Sequence, residues 1–155
     1  MQRVDGRWIY SATDVNDYLE CRRLPELERL VALQRLTRPE RDDDQAELIR
    51  TKGEAHEAEH LARLHRIFAG DVVELARPAP SVDAYREAEA RTFEAMRAGA
   101  RVIYQATFFD GTFIGRADFL QRVETPSNLG SWSYEALDTK LALSTKPYFV
   151  VQLCG

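Results

Sequence analysis

At 155 residues, 45% hydrophobic and 30% charged, the chain is long enough for one domain with a core of its own. No apolar run approaches the roughly 20 residues of a membrane span, and Met1-Gln2-Arg3-Val4-Asp5-Gly6 lacks the apolar stretch of a secretory leader, so a cytoplasmic location is expected. A formal net charge of −4 excludes a broadly basic nucleic-acid binder, and the two cysteines, Cys21 and Cys154, make neither a disulfide framework nor a zinc knuckle.

In chain order, Ser11-Ala12-Thr13-Asp14 reads as a helix start, with Val15, Tyr18 and Leu19 as its apolar face. Pro25 opens a second short helix through Leu27, Leu30, Val31 and Leu33. Residues 37–44 are polar and charged, a loop. A long helix is predicted from about Gln45 to Phe68, led by Asp42-Asp43-Asp44, whose charges suit its N-terminus. Gly53 inside it costs about 1 kcal/mol relative to Ala, which suggests close approach of another backbone. Val72–Leu75 reads as a short strand, and Ser81 caps a helix over about Val82–Met96, ended near Gly99. Val102–Phe109 and Thr112–Val123 are β-rich and flank Asp110-Gly111, a strong hairpin signal. Trp132–Lys140 reads as a third strand, and Lys146-Pro147 opens a last helix.

Several residues suggest chemistry. Asp118 sits in mid-strand, where Asp is depleted; it is either on a solvated face or paired with a cation. Asp138 and Lys140, two apart, share one strand face. They are an ordinary ion pair, or else a carboxylate for a hard cation beside a lysine that steadies charge on a phosphoryl group. Gln152, four after Tyr148, shares its helix face and could orient that site or be a surface amide. His56 on the long helix could add a ligand. His56-Glu57-Ala58-Glu59-His60 also matches the zinc-protease pattern HExxH, although Glu59 within it and the lack of an evident third ligand weigh against that reading. Arg22-Arg23, Arg35, Arg38 and Arg41 are either phosphate contacts or solvated charges.

Taken in order, Gly53-x-x-His56-Glu57, Gly115-x-x-Asp118, Asp138-x-Lys140 and Gln152 resemble the motifs of RecB-like nucleases of the PD-(D/E)XK superfamily. Residues from Ser11 to Cys21 look like the N-terminal helix of RecB-type and CRISPR-associated exonucleases. The resemblance runs from about Tyr10 onward. It implies an α/β, restriction-endonuclease-like core, with a mixed three- to four-stranded sheet flanked by helices and an added helical N-terminal part. One nuclease domain over 1–155 is expected, with the helical part at 1–44 and the core at 45–155.

The resemblance further implies that His56, Asp118, Asp138 and the Thr139 carbonyl bind Mg²⁺ or Mn²⁺, that Lys140 positions the attacking water, and that Gln152 supports the site. The implied activity is metal-dependent hydrolysis of DNA, often at a single-stranded end. Two departures stand out. An iron–sulfur cluster is not expected from two cysteines, which makes Cys21 a small buried apolar residue. The family's last helix normally continues, so the chain looks C-terminally truncated. A longer parent with a helicase or other domain, or a homodimer covering exposed sheet, would complete it. The alternative from another class is an inactive nuclease fold that binds DNA or a partner.

Overall fold

The computed structural model describes residues 1–39 and 44–138, ten elements in all. Strands β1 (Gln2–Val4) and β2 (Arg7–Ser11) come first, then helices α1 (Ala12–Glu20), α2 (Leu24–Ala32) and α3 (Asp44–Ile67). Strand β3 (Val72–Glu74), helix α4 (Val82–Ala98) and strands β4 (Val102–Phe109), β5 (Phe113–Val123) and β6 (Ser133–Leu137) follow. The expected strand and helix ends in the second half are met within a few residues. The expected helix from Lys146, with Thr139, Lys140, Gln152 and Cys154, lies outside the described residues.

The sheet is mixed, as expected of an α/β protein, but the described residues form six strands of it rather than three or four. The two extra strands are β1 and β2, in the part expected to be helical. Asp5 and Gly6 turn between them with φ of 48° and 77°, the left-handed pair that a tight Asp-Gly hairpin requires. Strands of three and five residues carry too little alternation to announce themselves. The turn docks on α4: Asp5 Oδ2 accepts from the Val82 N–H at 2.9 Å, and Gln2 Nε2 donates to the Tyr85 hydroxyl at 2.7 Å.

The β4–β5 hairpin is the centre of the sheet. The Asp110 carboxylate accepts from the Thr112 and Phe113 N–H groups at 2.8 and 2.6 Å and closes the turn. On one side, β4 pairs in parallel with β3. The far edge of β5 is shared: β2 pairs in parallel with Phe113 and Ile114, and β6 pairs antiparallel with Phe119–Val123. The stretch Gly115–Asp118 lies between these two partners.

Both faces of the sheet are covered, which is why β4 reads as a nearly continuous apolar run. Ile103, Ala106 and Leu120 pack with Ala95 and Met96 of α4. Val102 and Phe119 pack with Leu61 and Leu64 of α3 on the opposite face. A third cluster joins Val4 and Ile9 of the N-terminal hairpin to Tyr85 and Phe109.

One expectation near the N-terminus needs correcting. Cys21 is exposed, not buried, because it caps α1 in extended backbone at the turn into α2. The apolar faces of α1 and α2 also stay partly in the open, with Tyr18 49% and Leu19 59% exposed. No described helix is long and apolar enough to cross a membrane.

Candidate functional site

The side-chain pattern of β4 slips midway. In a regular strand alternate residues share a face, yet Ile103 and Ala106, three apart, both pack toward α4. The slip falls at Gln105, whose φ is +60°. A non-glycine residue held there costs about 1–2 kcal/mol, a strain that persists where surrounding contacts enforce it. The same slip occurs opposite: Ala117 and Leu120, also three apart, share the α4 side, while Phe119 packs toward α3. Tyr104 and Gln105 on β4, and Asp118 and Phe119 on β5, are thereby turned toward α3.

Glu57 of α3 meets them. Gln105 Nε2 donates to Glu57 Oε1 at 2.7 Å and approaches Asp118 Oδ1 at 3.5 Å. Gln105 Oε1 in turn accepts from the Arg116 guanidinium. The Asp138 carboxyl, just past the end of β6, shares a hydrogen bond with Asp118. Burial, then the Glu57 charge, then Asp138 push Asp118 up to about 6, with Arg116 opposing. Burial and hydrogen bonding to Glu57 likewise raise the Tyr104 hydroxyl. Three carboxyl groups thus crowd one spot, and one of them holds its proton to a pH where a free Asp has long lost it.

Of the residues expected at the site, Asp118 and Asp138 are brought together. His56 is exposed on α3, and its neighbour Glu57 is the helix residue that reaches Asp118 through Gln105. His60, the other histidine of the HExxH match, packs edge-on against Phe119 with centroids 4.9 Å apart, and burial lowers its proton affinity. Glu57 stood in the sequence within both the Gly53-x-x-His56-Glu57 and the HExxH matches, and neither marked it as the residue that reaches Asp118. Gln105 and Arg116 gave none, because a strand slip cannot be read from residue types.

These side chains offer hard oxygen donors, the chemistry of a Mg²⁺ or Mn²⁺ site. The Gln105 amide lies between two of the carboxylates, a position that favours positive charge. Among the described residues no group of three or more His, Cys, Asp or Glu is placed to hold a metal ion.

Fold and cluster define an α/β domain with a mixed sheet covered on both faces and a carboxylate group at a strand gap. Compared with known family models, characterised proteins and solved structures, the chain matches none.

Proposed function

We propose that this protein is a metal-dependent DNA nuclease of the RecB-like kind. The observation that carries the reading is the meeting of Asp118, Asp138 and Glu57, with Asp118 raised to about 6. Such crowding of like charge weakens a fold and persists where a bound cation relieves it. By resemblance, Asp118 and Asp138 would hold Mg²⁺ or Mn²⁺, with His56 and the Thr139 carbonyl as further ligands. When bound, the ion supplies Lewis acidity to a phosphoryl oxygen and acidifies water.

The chain's own groups do the rest. Lys140, two residues beyond Asp138, steadies negative charge developing on the phosphoryl oxygens, and Gln152 supports it. Arg116 provides a cation beside the carboxylates. The commitment of Glu57 to Gln105 and its closeness to Asp118 favour this reading over a zinc protease, where Glu57 would face substrate water from between two metal-bound histidines.

Cleavage of labelled single- and double-stranded DNA with Mn²⁺ or Mg²⁺ tests it, with Asp138→Ala and Lys140→Ala for comparison. Cutting by the wild type and a loss of at least about a hundredfold in both folded variants is the expected result. A folded wild type that binds metal and DNA but cuts neither substrate sinks the enzyme and leaves an inactive nuclease fold that binds DNA.

A further inference from the structure

Three side chains meet at the spacing of metal ligands. Gln105 Nε2 lies 2.7 Å from Glu57 Oε1 and 3.5 Å from Asp118 Oδ1. An octahedral Mg²⁺ holds its oxygens at about 2.0–2.1 Å, which sets neighbouring ligands about 3 Å apart. The end of the Gln105 side chain therefore stands where a ligand would stand beside two carboxylate oxygens on one ion. The atom there is the wrong one, because an NH₂ group presents hydrogens and a hard cation takes oxygen.

The neighbours of the amide explain why it faces this way. Arg116 carries donors alone, so it takes the amide oxygen. Glu57 accepts, so it takes the NH₂ group. The terminal torsion of a glutamine is broad and roughly two-fold. A half-turn about it exchanges the two atoms and moves no backbone. The oxygen would then face the carboxylates as a neutral hard ligand, and the NH₂ group would face Arg116, donor against donor. The positive φ of Gln105 is what aims this amide between the two sides.

We propose that Gln105 is a reversible ligand of the cation: its amide turns over when Mg²⁺ or Mn²⁺ enters and places Oε1 on the ion beside Glu57 and Asp118. Arg116 is the latch that holds the amide the other way round in the absence of the ion, and so acts as a positioning residue. The proposal rests on the metal-dependent reading of the site.

The test is Mn²⁺ binding to the full chain, followed through the electron paramagnetic resonance signal of the free ion. Asp118→Asn measures whatever binds elsewhere. Gln105→Leu is expected to weaken the site roughly tenfold. An amide that merely obstructs the ion would give tighter binding, and one that takes no part would give no change; either result overturns the proposal. Gln105→Asn should repeat the loss, since its amide is one methylene short while Asn tolerates a positive φ. It stands in for Gln105→Leu where that variant does not fold.

Arg116→Met is expected to tighten binding about tenfold, partly by removing a positive charge and partly by releasing the amide. In the Gln105→Leu background only the first part is left, and the gain should shrink to about threefold or less. Equal gains in the two backgrounds overturn the latch. If Gln105 only kept Arg116 off the carboxylates, Arg116→Met would help more in the Gln105→Leu background, and that overturns the ligand. A wild type that binds no more Mn²⁺ than Asp118→Asn removes the metal site and this proposal with it. Binding in the expected pattern without DNA cleavage keeps the ligand and removes the nuclease. Cleavage by a wild type whose Gln105 variants bind Mn²⁺ equally well does the reverse.

Discussion

Asp118 is an acid whose surroundings delay its ionisation to about pH 6. Its value in the folded chain, about 6, lies above the ordinary 3.8. Between those two pH values the folded state binds more protons than the unfolded one, so stability falls as pH rises through that window. Asp118→Asn keeps a polar amide in place and removes the charge. In EDTA at pH 7.5 it should therefore raise the melting temperature by about 2–6 °C, for a gain of about 1–2 kcal/mol after allowance for solvent. At pH 4 wild type and variant should melt alike. Equal melting at both pH values would mean that Asp118 ionises freely and that the crowding is relieved some other way. Gln105, with its φ of +60°, adds its own strain at the same spot.

At the scale of elements, β4 has an edge problem that α4 solves. Beyond Tyr104 the strand has outrun β3, and its outward N–H groups would be left bare. The Thr107 N–H donates to Thr92 Oγ1 at 3.0 Å, and the Phe109 N–H donates to Glu89 Oε1 at 2.9 Å. Both acceptors come from one face of α4, three residues apart. Thr92 is fully buried and also donates to the Ala88 carbonyl at 3.0 Å. Thr92→Val keeps the volume but leaves a buried donor without a partner, which costs about 1–3 kcal/mol. Denaturant unfolding should show that loss with an unchanged m-value. A change under about 0.3 kcal/mol would mean that the Thr107 N–H has found another acceptor.

Across the whole molecule, the hairpin of β4 and β5 is the wall between two cores. Phe119 has no exposed surface; it lies under α3 and touches Tyr104 and His60. Phe119→Ala should cost about 3–5 kcal/mol, a large share of the roughly 5–15 kcal/mol that holds a domain. It should also loosen α3, and with it Glu57, so the affinity for Mn²⁺ that the proposed function requires should fall together with thermal stability. A folded variant that melts within about 2 °C of the wild type would show that α3 does not depend on this contact.

Much of the element order was legible from local chemistry. The Asp110-Gly111 turn, the Ser81 cap, the Gly99 stop and the apolar runs between them are encoded within a few residues of where they act, so β3, α4, β4 and β5 follow from reading along the chain. Asp118 was also legible as a candidate, because an acid is out of place in mid-strand, and Asp138 through its spacing from Lys140. The N-terminal strands were too short to carry a pattern, although Asp5-Gly6 was a turn signal in plain sight. What only the tertiary structure decided is which groups meet. The positive φ of Gln105 is imposed by its neighbours and not by its own preferences, and that single slip turns Tyr104 and Gln105 to the same side. The choice of Glu57 on α3 depends on how a helix seats against a sheet, and the separation of Arg116 from the carboxylates depends on an amide 11 residues away in sequence. Local propensity acts over a turn or a strand, whereas the site is made by contacts between segments as far as 48 residues apart, and these exist only once the core has closed.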